Sequence, residues 1–290
     1  MSTRVVSTRL HTVSLSRYVH ELLQAPHNGT LLATFGRSCY LDLSGHIVAL
    51  VLPDLLDGPL NLVVESDTDF RFANLPVRET VKSSNAGILI GNAVEITVGE
   101  APIWEPQLAQ WGRSDLSTVR TSMNFVQKIL LGEAPEGSFA TYLTDPTALS
   151  MRARSGLGLL EQALRRRSPV SAAEAAQQLA GLGGGLTPSG DDVLVGTLLA
   201  LSVIHHEDLR ELRNAIIAEV RGRTTRISET YLEAAARGEA GEAWHRLIRV
   251  LPSQDRAAIV VAARRVMAFG ETSGSDMLAG FTLAISTLIS

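Results

Sequence analysis

The residues best equipped for chemistry lie together in Gly181-Leu182-Gly183-Gly184-Gly185-Leu186-Thr187-Pro188-Ser189-Gly190-Asp191-Asp192, which runs into the apolar stretch Val193 to Ile204. Glycines, small hydroxyls and two adjacent carboxylates thus stand at the mouth of what reads as a buried helix. A helix start presents unpaired backbone N–H groups and the positive end of the helix dipole, so negative charge is favoured there. One aspartate at such a place is ordinary capping chemistry. Two, behind Gly183, Gly184 and Gly185 and beside Thr187, Ser189 and Gly190, point to a backbone shaped to approach a ligand. A plain cap after a loose loop is the competing account.

The segment has an echo near the C-terminus. Ser189-Gly190-Asp191-Asp192-Val193-Leu194-Val195-Gly196 and Ser273-Gly274-Ser275-Asp276-Met277-Leu278-Ala279-Gly280 share the pattern Ser-Gly-x-Asp-x-Leu-x-Gly. In each copy the aspartate and the last glycine are four apart, hence on one helix face. The pattern predicts that the two helices pack at Gly196 and Gly280 and bring Asp192 and Asp276 towards one site. Chance similarity between two small-residue helix starts is the alternative. A third cluster, Thr224-Thr225-Arg226-Ile227-Ser228, holds an oxyanion with help from Arg223 or Arg226, or simply caps a helix.

Several chemistries suit this constellation. The loop lacks the lysine of a P-loop, and two aspartates facing a bare phosphate would repel it. Mg²⁺ held by Asp192 and Asp276 would remove that conflict, since this ion is bound by one or two carboxylates plus phosphate oxygens. Alternatively, the carboxylates accept an amide or ureido N–H while loop amides hold a substrate carboxylate. Both place a small, oxygen-rich anion at one spot. The catalytic candidates are Asp191, Asp192 and Asp276. The binding candidates are Gly183, Gly184, Gly185, Thr187, Ser189, Gly190, Thr224, Thr225, Ser228, Ser273 and Gly274. No cofactor is fixed beyond the option of Mg²⁺. His205-His206 reads as a helix-end surface pair, without the partner spacing of a metal site.

The elements that must position these residues fall into two regimes. Residues 30–98 read as short β-branched runs: 31–35, 39–43, 46–52, 60–64, 77–81 and 93–98, with Ser44-Gly45 as a hairpin turn. From about Asp115 the pattern is helical. Ser171-Ala172-Ala173-Glu174 reads as a capping box opening a helix that stops at Gly181, and four more helices are expected over 207–221, 227–237, 239–251 and 253–269. The expected fold is α+β, with an antiparallel β-rich lobe (sheet or small barrel) over residues 1–110 and an α-helical lobe over 111–290. A net charge of −4 and few aromatics argue against a nucleic-acid partner. The single Cys39 excludes an internal disulfide, the first residues lack a leader's apolar core, and no apolar run is long enough for a bilayer. A soluble cytoplasmic protein is expected.

The glycine-rich segment, the Thr224 to Ser228 cluster and Thr272-Ser273-Gly274-Ser275-Asp276 together resemble the AllH family, whose members are found as a subunit of oxamate carbamoyltransferase. Asn28-Gly29 and Gly58-Pro59-Leu60 extend the resemblance weakly towards the N-terminus, whereas Thr187-Pro188-Ser189-Gly190-Asp191-Asp192 is its specific part. The chain departs from the family's pattern at Gly184, where proline is usual. The resemblance implies a role in allantoin and purine nitrogen catabolism, in a complex with FdrA-like and AllG-like subunits. That complex converts oxalurate and phosphate to oxamate and carbamoyl phosphate. Three classes follow: a carbamoyltransferase subunit, a non-catalytic assembly subunit, or a stand-alone metal-dependent enzyme acting on a small phosphorylated metabolite.

Overall fold

The computed structural model describes residues 8–289, and the chain divides into two compact units, residues 1–106 and 107–290. The first is built from strands β1 (Thr8–Ser16), β2 (His27–Thr34), β3 (Ser38–Leu43), β4 (His46–Val51), β5 (Asn61–Glu65), β6 (Thr80–Ser84), β7 (Gly87–Ile90), β8 (Val94–Thr97) and β9 (Ile103–Trp104), with one short helix, α1 (Arg17–Leu22). Their order is β5-β4-β3-β2-β6-β7-β8-β1, and a further β1–β5 pairing closes the sheet on itself as a barrel. β9 continues alongside the end of β1.

Local sequence explains much of this closure. Ser44 and Gly45 both take positive φ, the conformation of a two-residue hairpin turn, and so join β3 to β4. β3 alternates half-buried and buried residues, sending Cys39, Leu41 and Leu43 inward. Leu10, Leu31, Leu50, Leu62, Val81, Ile90 and Phe72 fill the same interior. Most pairings are antiparallel, as expected, but β1–β8, β1–β9 and β4–β5 are parallel, so the barrel is mixed. The sequence reading missed β1, whose residues alternate with polar ones, and β7, which is only four residues long. It also placed β6 about three residues early, because Pro76 and Val77 precede the strand proper.

The second unit is helical: α2 (Arg113–Glu133), α3 (Met151–Arg166), α4 (Pro169–Leu179), α5 (Ser189–Val203), α6 (Glu207–Val220), α7 (Arg226–Ala236), α8 (Glu242–Val250), α9 (Arg256–Met267) and α10 (Ser273–Leu288). Every residue of α5 from Gly190 to Val203 is buried, and so is α10 from Gly274 to Ile285. Helices apolar all round belong in the centre of a bundle, and these two form it. Trp111 and Trp244 pack on Phe281 of α10, at ring-centroid distances of 6.3 and 5.1 Å. The capping box expected at Ser171 is displaced. α4 starts at Pro169, and Ser168 is its cap, accepting the Ser171 N–H at 3.3 Å. Proline is preorganised for the first helical position, and it draws the start upstream.

Candidate functional site

α5 and α10 touch where the repeated glycines stand. A Cβ on Gly196 would collide with the carbonyl of Met277, and one on Gly280 would collide with the carbonyl of Val193. Each contact is the counterpart of the other, joining the glycine four residues after one aspartate to the residue directly after the other. The starts of both helices are fixed the same way. A Cβ on Gly190 would strike the carbonyl of Leu179 at the end of α4, and one on Gly274 would strike that of Val266 near the end of α9. Glycine is required at all four places because backbone occupies the space a side chain would need.

This packing sets Asp192 and Asp276 at equivalent positions, the fourth residue of each helix. Neither is an N-cap. The caps are Pro188 and Thr272, and neither makes a side-chain capping bond. Both aspartates are almost fully buried, at 2% and 0% exposure. Asp276 Oδ1 accepts the Ser138 hydroxyl at 2.7 Å and the Phe139 N–H at 2.6 Å. Asp276 Oδ2 and Asp192 Oδ2 have no hydrogen-bond partner. Thr187 and Ser273 share a hydroxyl–hydroxyl hydrogen bond of 3.1 Å that ties the glycine-rich loop to the start of α10.

Asp191 is placed differently. Its Oδ1 accepts the Gly181 N–H at 2.9 Å, and its Oδ2 accepts the Ser228 hydroxyl at 2.9 Å and the Thr224 hydroxyl. The hydroxyl cluster at the start of α7 therefore holds a carboxyl group, and that group is the one on Asp191. Thr225 caps α7, accepting the Ser228 N–H at 3.1 Å, and donates its hydroxyl to the Leu186 carbonyl. Arg223 pairs with Glu219 at 3.6 Å. Thr224, Thr225 and Ser228 thus brace the loop and Asp191.

The electrostatics follow from burial. Among the described residues none of the three aspartates forms an ion pair, so hydroxyls, backbone N–H groups and the helix N-termini are what oppose the cost of charging them. Burial, reinforced by the neighbouring Asp276 and Asp191, pushes the Asp192 carboxyl up to about 8, although the Ser273 and Thr187 hydroxyls pull the other way. Burial also raises Asp276, against the Ser138 hydroxyl, the Phe139 N–H and the Ser189 and Thr272 hydroxyls. Asp191 is raised by burial too, with Thr224, Gly181 and Ser228 opposing.

The glycine-rich loop runs past the start of α5. Gly181, Gly183 and Gly185 have positive φ of 67°, 124° and 84°. A Cβ on Gly183 would lie 2.8 Å from the Ser189 backbone nitrogen, so the loop backbone runs close over the start of α5. Gly184 and Gly185 are exposed, with open space where a Cβ would stand. Ser138 and Phe139 escaped the sequence reading. They lie 138 and 137 residues from Asp276, and nothing in their local pattern marks them. A cleft of about 430 Å³ between α6 and α7, lined by Arg221 and Glu233 among others, includes none of the three aspartates. Among the described residues no group of three or more His, Cys, Asp or Glu is arranged to hold a metal ion. Nor is any helix long and apolar enough to cross a membrane.

Residues 179–285 match the family model of the oxamate carbamoyltransferase subunit AllH, the family that the sequence resembles. The matched stretch opens at the end of α4 and takes in the loop, the α7 cluster and nearly all of α10. No solved structure matches the chain.

Proposed function

We propose that this protein is a cytoplasmic subunit of a carbamoyltransferase complex, working with FdrA-like and AllG-like partners. The reaction converts oxalurate and phosphate to oxamate and carbamoyl phosphate, within allantoin and purine nitrogen catabolism. The carrying observation is that the family match spans two neighbouring buried carboxylates, each with an unpartnered oxygen, at the end of a glycine-rich loop. A substrate with adjacent carbonyls, an amide and a carboxylate suits that mixture of carboxylates, hydroxyls and backbone N–H groups. Asp192 and Asp276 are the residues positioned to meet substrate, with Thr187, Ser189, Ser273 and the loop glycines around them. Asp191 is a positioning residue that fixes the loop through Gly181.

The test is co-expression with the partner subunits, followed by assay of carbamoyl phosphate formed from oxalurate and phosphate. Asp192→Asn and Asp276→Asn are each expected to cut turnover by about a hundredfold or more in a folded complex, which is about 2.7 kcal/mol of lost barrier lowering. Near-normal turnover in both variants would leave the chain an assembly subunit.

A further inference from the structure

Two acidic side chains brought together inside a helical bundle can both be charged cheaply only beside a cation, and among the described residues no basic side chain of the bundle pairs with them. Asp192 and Asp276 are almost fully buried, form no ion pair among the described residues, and each leave Oδ2 without a partner. A carboxylate oxygen left bare at such depth is costly, and native proteins satisfy it with a partner. Asp276 Oδ1 is already saturated by Ser138 and Phe139, which fixes the direction in which its free oxygen is offered. Asp191, the third acid, is turned away and fully engaged with Gly181, Thr224 and Ser228. Two neighbouring carboxyl groups therefore each keep one bare oxygen, with the Ser273 and Thr187 hydroxyls near Asp192 and the Ser189 and Thr272 hydroxyls near Asp276.

We propose that Asp192 and Asp276 hold a divalent cation of the Mg²⁺ class through their free Oδ2 atoms. The donor set is oxygen only, with the Thr187 and Ser273 hydroxyls alongside, and no imidazole or thiol stands among these donors, which selects a hard cation over zinc or copper. Two carboxylates are too few to enclose the ion, so it keeps open positions for water or for an anion. A phosphate or carboxylate at the two helix starts would meet a cation there instead of two negative charges. The inference concerns the same site as the function proposed above but not that activity, so it is tested on this chain without partners or substrate.

The experiment is a titration of the purified, chelator-treated full-length chain with Mn²⁺ as a spectroscopic probe and Mg²⁺ as competitor. It is run with and without inorganic phosphate, and melting temperature is followed in parallel. One Mn²⁺ per chain, displaced by Mg²⁺ and accompanied by a raised melting temperature, is expected. Asp192→Asn and Asp276→Asn should each weaken binding by at least about tenfold while folding normally without metal, because each removes a direct ligand. The proposal is overturned if the wild-type chain binds no Mn²⁺ under either condition, or if both folded variants bind as the wild type does. Failure here would leave the carbamoyltransferase reading standing, and loss of that reading would leave the cation site standing.

Discussion

At the scale of single residues, the three aspartates differ in what surrounds them, and their substitutions should differ accordingly. Asp191→Ala leaves the Gly181 N–H and the Thr224 and Ser228 hydroxyls without an acceptor, so it should destabilise the protein by about 1–3 kcal/mol in chemical denaturation. Asp192→Asn does the reverse in chelator-treated protein. It removes a buried carboxylate that has no cationic partner, so its denaturation midpoint should rise above wild type, and a fall would refute the account of unbalanced charge. Gly184 is exposed, lacks a positive φ, and has nothing within 4 Å of where a Cβ would stand. Gly184→Ala should therefore be neutral or stabilise by about 0.4–1 kcal/mol, unlike the same change at Gly183 or Gly185, where φ is positive. Cys39 is fully buried in the barrel, and burial pushes its thiol well above the usual range. It should resist alkylation until the chain unfolds, as thiol labelling across a denaturant series would reveal.

At the scale of elements, the tightest constraint is the contact between α5 and α10. Gly196→Ala or Gly280→Ala puts a methyl group into a backbone carbonyl, so either should cost about 1–3 kcal/mol in chemical denaturation, with larger side chains costing more. This contact was legible in the sequence because a four-residue spacing of small residues has one geometric meaning on a helix. The starts of α5 and α10 near Gly190 and Gly274 were legible from capping signals and the onset of helical periodicity. The barrel strands were legible where turn residues bracket β-branched runs, as at Ser44-Gly45. They were not legible where pairing partners come from far along the chain. β1 is held by β5 and β8, and its own polar alternation gives no sign of that closure. Ser138 and Phe139 were hidden for a related reason, since a bond to Asp276 depends on tertiary placement and leaves no periodic trace. The Thr224 to Ser228 cluster read either as an oxyanion holder or as a plain helix cap, and composition could not say that Thr225 would be the cap while Thr224 and Ser228 bond a carboxyl group of the same chain.

At the scale of the whole molecule, the helical unit is organised around two central helices whose residues are buried for most of their length. Backbone amides of α5 and α10 should be the slowest in that unit to exchange with deuterium, slower than those of α6, which buries only Leu209, Leu212, Ile216 and Val220. The reciprocal contacts of Gly196 with Met277 and Gly280 with Val193, and of Gly190 and Gly274 with the ends of α4 and α9, make the pair α4–α5 the counterpart of α9–α10. Two hairpins related in this way give the two buried carboxylates an approximate axis of exchange, and a feature lying on such an axis has no intrinsic left or right. Handedness enters through the parts that do not repeat. Ser275 stands where Asp191 does but leaves its hydroxyl without a partner, and the turn from Gly270 to Ser273 is much shorter than the loop from Gly181 to Pro188. The longer loop, pinned by Asp191 to α7, breaks the equivalence, and under the function proposed above that difference is what lets a near-symmetric pair of acids tell one end of an unsymmetrical molecule from the other.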